Sequence, residues 1–456
     1  MEERNRWLEC SLSDITDIYS GYGFPKNLQG KSNGKYPFFK VGDISKNVQA
    51  GNRYLNECVN YIDDLELKQL KAKPYPINTI VFAKIGEALK LNRRAITKEP
   101  AIVDNNAIGI KANEVLCLDL FLYYFLVRLK LEDYSRATTV PSVRKTDIEN
   151  INFNLPPFPE QRAIVSKLEQ LFSDLDNGII NLRLAQGQLK VYRQAVLKKA
   201  FEGELTRKWR EQQVNLPDDW RWVKIDSILE DSKNGMKTGP FGTSLKKHEH
   251  QASGIPVYGI ENIGEGVFRM PNKIFITERK FHELEAFKVQ PNDIIISRSG
   301  TVGEICAIPE KIKEGIISTN LMRIRLNSSL ISTKYFVYLF QGGNVREQVK
   351  ELCKGSTRLF LNQTILYSIN FPLCSFPEQQ AIVQQIETRL SVCDKLEQDI
   401  VENLEKAEAL RQSILKKAFE GKLLNERELE EVRSAPDWEP AEKLLERIKA
   451  EKATAK

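Results

Sequence analysis

Two stretches of the chain carry an apolar residue at every seventh position. Leu168, Leu175, Leu182, Leu189 and Val196 form one series, and Ile386, Cys393, Ile400, Ala407 and Ile414 form the other. Leu171, Ala185 and Tyr192 widen the first seam, and Leu390, Leu396, Leu404 and Leu410 widen the second. This spacing predicts a helix that packs along its length against another helix. Pro159 and Pro377 stand where a first helical turn tolerates proline, with Glu160 and Glu378 beside the positive end of the dipole. Lys198, Lys199, Lys416 and Lys417 lie near the opposite ends, and Gly203 and Gly421 are placed to stop the helices. About 40 residues at 1.5 Å each make a rod of roughly 60 Å.

The two rods are copies. FPEQRAIV at Phe158 recurs as FPEQQAIV at Phe376, and LKKAFEGEL at Leu197 recurs as LKKAFEGKL at Leu415, both 218 residues on. Over the 49 positions from Phe158 to Thr206, 20 are identical to Phe376–Leu424 without a gap, so the sequence is duplicated. The preceding blocks match more loosely. Arg6-Trp7-Leu8 aligns with Arg221-Trp222-Val223, the strand-like run 77–86 with 291–300, FLYYFL at Phe121 with YFVYLF at Tyr335, and the run ending at Phe153 with the run ending at Phe371.

The expected organisation is a globular domain over 1–157, a helix over 158–206, a second domain over 207–375, a second helix over 376–424 and a charged extension over 425–456. The first helix reaches the second domain through a short polar linker, and the second helix leaves that same domain. The fold class is therefore α+β, with two mixed α/β domains joined by two long antiparallel coiled-coil helices about a pseudo-two-fold axis. A helical stretch from Ala441 to Ala450 is expected to be exposed or to dock on a partner.

Composition narrows the class. With 456 residues, 41 % hydrophobic and 28 % charged, the chain has enough apolar material for several cores, which excludes a disordered or fibrous protein. Seven cysteines without a CxxC pair argue against a disulfide scaffold or zinc ribbon and fit a reducing cytoplasm. The start MEERNRWLECS has no apolar leader core, and no apolar run is long enough to span a bilayer, so no membrane partner is expected. The net charge of +6 is unevenly spread: the two globular blocks carry +3 and +6, the first helix +1 and the remainder −4. Basic excess on the globular blocks is the electrostatic footprint of nucleic-acid surfaces.

FPEQ opening a heptad helix that closes in LKKAFEG, twice, each after a domain of about 150 residues, resembles the specificity (S) subunit of Type I restriction-modification systems over residues 1 to about 425. The resemblance implies two divergent target recognition domains, each reading half of a bipartite site in double-stranded DNA, and helices that space them and dock two methyltransferase (M) subunits. It also implies no catalytic residues and no cofactor of the chain's own, with S-adenosylmethionine on the M subunits and ATP-driven cleavage on the restriction (R) subunits. The acidic extension after Leu424 is not part of that pattern. Readers one helical turn apart, ~34 Å, lie within the reach of such a rod, and unlike domains imply a non-palindromic target.

Base edges specify and phosphates position. The polar and basic loop residues expected at DNA are Lys35, Lys84, Arg93, Arg94, Arg136, Thr138, Thr139 and Arg144 in the first domain. In the second they are Lys237, Thr238, Lys246, Lys247, Arg298, Ser299, Thr301, Lys354, Ser356, Thr357 and Arg358. KTGPFGTSLKK, from Lys237, combines glycines, hydroxyls and a basic pair suited to a phosphate, but lacks the Gly-Lys-Ser/Thr ending of a P-loop. Glu160, Gln161, Phe201, Glu378, Gln379 and Phe419, identical in both copies, are the expected contacts for two identical partners. Asn154-Leu155-Pro156-Pro157-Phe158 approaches the Asn-Pro-Pro-Phe loop of adenine methyltransferases, but a leucine interrupts it. His248, His250 and His282 have no further ligand at metal spacing, so no metal site is expected. The chain therefore reads as a non-catalytic DNA-recognition subunit. The competing readings are a coiled-coil adaptor that binds only proteins and an enzyme, such as a solitary DNA methyltransferase or nuclease.

Overall fold

A computed structural model describes residues 7–135, 140–213, 220–242, 244–270, 272–353, 360–443, 445, 446 and 450. The chain divides into two units, Met1–Asn181 with Asn403–Lys456, and Leu182–Glu402. Each long helix, Phe158–Phe201 and Phe376–Phe419, contributes one part to each unit.

In the first unit the strands are β1 (Leu8–Ser11), β2 (Thr16–Ser20), β3 (Tyr36–Phe39), β4 (Tyr61–Ile62), β5 (Ile80–Ala83), β6 (Ala95–Ile96), β7 (Ile102–Val103), β8 (Ala107–Ala112) and β9 (Asn152–Leu155). β2-β8-β5-β6 form one antiparallel sheet, β4-β3-β7 a second, and β1 pairs with β9. Every residue of β5 and β8 is buried, because strand alternation sends Ile80 and Phe82 into one core and Val81 into another. The helix Asp119–Arg128 supplies Phe121 and Phe125, which meet Phe153 edge to face. Burial of each such ring stabilises the core by about 1.5–3 kcal/mol. Ile164, Leu168 and Phe172 of the first long helix and Leu415, Ala418 and Phe419 of the second belong to that same core.

The second unit repeats the plan with β10 (Arg221–Val223), β11 (Met236–Thr238), β12 (Ile255–Tyr258), β13 (Ile274–Ile276), β14 (Ile294–Ser297), β15 (Ile305–Ala307), β16 (Ile316–Ile317), β17 (Leu321–Ile324) and β18 (Phe371–Leu373). Its sheets run β11-β17-β14-β15 and β13-β12-β16, and β10 pairs with β18. Its core takes Val196, Leu197 and Ala200 from the first long helix and Ile382, Val383 and Ile386 from the second.

The helices run antiparallel within each unit. In the first, Asp176 meets Arg411, Lys167 meets Glu428 and Arg162 meets Asp437, one number falling as the other rises. In the second, Arg193 meets Asp394 at 2.6 Å and Glu378 meets Thr206 and Arg210. Gly203 (φ 75°) and Gly421 (φ 69°) end the helices in the left-handed conformation, as their placement predicts. The second seam is buried at all five heptad positions, whereas Leu175, Leu182 and Leu189 of the first are half-buried. Tyr192, Leu396 and Leu410, expected to widen the seams, are about half exposed.

Two expectations change. The extension packs on the first unit: Asn425 caps the helix Glu426–Arg433, and Ala441 and Leu445 are buried in that unit's core, while Glu442, Lys443, Glu446 and Ala450 are exposed. Strand register also realigns the tryptophans. Leu8 opposes Leu155 and Arg221 opposes Leu373, which makes Trp220 the counterpart of Trp7, while Trp222 is 60 % exposed. Residues two apart on a strand share a face, so the apolar pattern alone did not distinguish the two tryptophans.

Candidate nucleic-acid interface

Strand direction gathers the polar loops. In the second unit β11 and β14 both run antiparallel to β17. The segments after Thr238 and after Ser297 therefore lie at the same sheet end as the segment before Leu321. There Gly239 N–H donates to Leu321 O, Arg298 N–H to Asn320 O and Leu361 N–H to Arg298 O. Gln363 Nε2 donates to Thr238 Oγ1 at 3.1 Å, and Ser299 Oγ to Asn320 Oδ1 at 2.9 Å. The first unit repeats two of these bonds: Lys84 N–H donates to Asn106 O and Val143 N–H to Lys84 O.

Lys84, Arg93 and Arg144 thus share one end of the first sheet, and Thr238, Arg298, Ser299 and Thr301 share the equivalent end of the second. Arg144, Thr301, Lys246 and Lys247 are exposed; Lys84, Arg93, Thr238 and Ser299 are half-buried. Half-buried Lys237 lies over the Phe287 ring at 6.0 Å. Arg136, Thr138, Thr139, Lys354, Ser356, Thr357 and Arg358 lie outside the described residues.

Three of the expected residues stand apart from the others. Arg94 is 2 % exposed, stacked 4.6 Å over Phe82, and donates to Asn92 Oδ1 and the Arg93 carbonyl. Burial pushes its guanidinium pKa down to about 9. Arg298, 8 % exposed, stacks 4.6 Å over Phe360 and donates to the carbonyls of Leu361 and Thr319, and burial lowers its pKa. Both arginines hold loops together rather than reach outward. Lys35 sits at the other end of β3 from the gathered loops, its ammonium paired with Asp64 at 2.9 Å. The residue at the gathered end of β3 is Lys40, whose neighbour Phe39 accepts from Asp104 N–H. Composition offered no signal to separate the two lysines. Phe241, 70 % exposed in the loop after β11, was also missed; an aromatic between glycines was the available signal.

The repeated helix starts serve the frame. Gln161 accepts from Leu118 N–H and donates to the carbonyls of Leu116 and Pro156. Gln379 does the same with Ser332, Leu330 and Cys374. Glu160 accepts from Trp7 Nε1 at 3.0 Å, and Glu378 from Trp220 Nε1 at 3.1 Å. Phe419 packs on Phe121 and Phe125, and Phe201 on Tyr335. The identities expected to contact partners are therefore accounted for by identical contacts inside the chain, each helix start clamping its own domain.

The family model of the Type I restriction modification DNA specificity domain matches residues 5–183 and 217–406. The EcoBI specificity subunit of Escherichia coli is 24 % identical over 461 residues, covering 98 % of this chain and 93 % of the relative. The EcoKI specificity subunit of Escherichia coli (strain K12) is 25 % identical over 464 residues, covering 98 % and 96 %. Among solved structures, a chain from work on complex assembly and conformational transition of the type I R-M system has a TM-score of 0.68 at 20 % identity, covering 91 % of this chain and 98 % of that one. The HsdS subunit from Thermoanaerobacter tengcongensis has a TM-score of 0.55 at 20 % identity, covering 92 % and 97 %. With the duplicated frame and the gathered polar loops, these matches make the chain a member of the Type I restriction-modification specificity subunit family, whose domains recognise DNA sequence.

Proposed function

We propose that this chain reads a bipartite, non-palindromic DNA site, one half with each domain, and carries methyltransferase and restriction subunits to it without performing chemistry itself. The observation that carries the reading is a frame repeated within the chain with unlike tips. Lys84 and Arg298 occupy the same bonded position in the two units, yet the side chains around them differ. A shared backbone that presents different donors and acceptors is what two different half-sites require. In this reading Lys84, Arg93, Arg144, Lys237, Thr238, Lys246, Lys247, Ser299 and Thr301 face the duplex.

Docking of M subunits moves from the helix ends to the helix flanks. Leu184 and Val191, seven residues apart and so on one face, are 59 % and 70 % exposed, and Val392 and Leu396 of the second helix are 56 % and 46 % exposed. Leu184→Asp with Val191→Asp should leave a folded protein that fails to co-purify with the M subunit.

The test of the main reading is methylation-site mapping in cells expressing the chain with its neighbouring subunits. A single split motif is expected. Exchange of residues 207–375 for those of a relative should alter one half and leave the other. A continuous motif, or both halves changing together, refutes the reading.

A further inference from the structure

We propose that Phe241 is a wedge that inserts between stacked bases of the half-site read by the second domain, so that DNA is distorted in that half alone. The inference rests on the DNA-reading role proposed above.

The loop that carries Phe241 is fixed on both sides while the ring itself stays in solvent. Pro240 before it is buried, and Leu245 after it is 8 % exposed in an apolar cluster. Gly239 N–H donates to Leu321 O at 3.0 Å, and the N–H groups of Ser244 and Leu245 donate to Phe241 O at 2.8 and 3.3 Å. A Cβ on Gly239 would come within 2.0 Å of the Ser318 carbonyl oxygen, so this backbone is pressed onto the sheet end. Between these fixed residues the Phe241 ring is 70 % exposed. Five and six residues further on stand the exposed Lys246 and Lys247, which suit a polyanion and oppose an apolar protein partner. Apolar side chains presented among cations insert at base steps and partly unstack them.

Among the described residues, the equivalent loop of the first unit carries no exposed aromatic at this position. Gly21 is the counterpart of Gly239 by register, with its Cβ position 1.8 Å from the Asp104 carbonyl oxygen. Two residues on stands Gly23 in place of Phe241. The nearby Phe24 stacks on Phe38 with centroids 3.8 Å apart and 8° between planes, and the Lys40 ammonium lies 5.4 Å from its ring. That aromatic is used within its own domain.

The experiment uses the complex with its M subunits and duplexes of the methylation-mapped site, with 2-aminopurine placed stepwise across both halves. The wild-type complex should raise the fluorescence at one step, in the half that changes when residues 207–375 are exchanged. Phe241→Ala should abolish that signal and weaken binding roughly 5- to 140-fold, the range for losing one base–aromatic stack. Its salt dependence and melting temperature should stay unchanged, because no phosphate contact or core residue is lost. Phe241→Trp should restore the signal. A bound wild-type complex with no fluorescence rise, or a Phe241→Ala complex that keeps both signal and affinity, overturns the wedge while the DNA-reading role stands. Failure of the wild-type complex to bind any duplex at low salt overturns both.

Discussion

Glu160 and Glu378 occupy the same place in the two repeats but are held differently, so their replacement by glutamine measures the frame. The carboxylates are 7 % and 3 % exposed. Glu160 takes the Trp7 indole N–H. Glu378 takes the Trp220 indole, the Thr206 hydroxyl at 2.7 Å and the Arg210 guanidinium. A hydrogen bond to a charged group contributes roughly 1.5–3 kcal/mol, against about 1 kcal/mol for a neutral pair. Glutamine keeps one acceptor but removes the charge, weakening the Thr206 and Arg210 bonds as well as the indole bond. The Arg210 side chain is 29 % exposed, so water offsets part of its loss. The net cost of Glu378→Gln is then about 2 kcal/mol, and that of Glu160→Gln below about 1 kcal/mol. At roughly 2–4 °C per kcal/mol for a domain of this size, the second unit should melt about 4–8 °C lower and the first less than about 4 °C lower. Calorimetry, with each transition assigned by hydrogen exchange, checks the pair. Arg210→Ala supplies the double-mutant cycle, whose coupling with Glu378→Gln should reach about 1 kcal/mol. Equal shifts for the two glutamine variants, or a cycle without coupling, would refute the claim that the extra donors stabilise the second repeat.

Four further outcomes follow from the same contacts. Phe419→Ala, which empties a 5 % exposed site among Phe121 and Phe125, should cost about 3–5 kcal/mol, and Phe201→Ala, at a half-buried site, clearly less; urea melts would show the order. Gly239→Ala should lower the second unit's melting temperature and weaken DNA binding together, since the new Cβ meets backbone at 2.0 Å; a variant with unchanged binding and stability would remove the close approach as a constraint. Lys246→Ala with Lys247→Ala should weaken binding to all sequences and reduce the slope of log K against log salt by about 2, read by fluorescence anisotropy across a salt series. Burial raises the Glu160 carboxyl above its ordinary 4.5, so the folded state holds that proton more tightly than the unfolded one. The stability this gives is fully present below about pH 4.5 and is lost as pH rises through the raised value. The melting temperature of Glu160→Gln relative to wild type should therefore climb above about pH 4.5 and level off once the raised value is passed, and a flat difference would contradict it.

What the sequence made legible and what it did not divide along a physical line. Heptads, FPEQ and LKKAFEG reveal the helices and the duplication because helix periodicity and helix ends are local properties. The meaning of the identical Glu-Gln pairs was not local. Gln161 and Gln379 are identical because each satisfies three backbone groups of a preceding domain 5 to 49 residues away, a demand visible only once the chain is folded. The burial of Arg298 likewise depends on Leu361 and Phe360 returning across the sheet end. Nothing about a charge run announces which arginine will be stacked beneath a loop. Lys35 and Lys40 flank one four-residue strand, roughly 17 Å end to end, and only pairing with β7 decides which of them accompanies the reading loops. In this duplicated chain Glu160, Gln161, Glu378 and Gln379, identical between copies, satisfy the interior of each unit, and the proposed reading role would fall where equivalent positions disagree. Gly23 against Phe241 is such a position, and in each unit it follows the strand at the sheet end where strand direction gathers the loops.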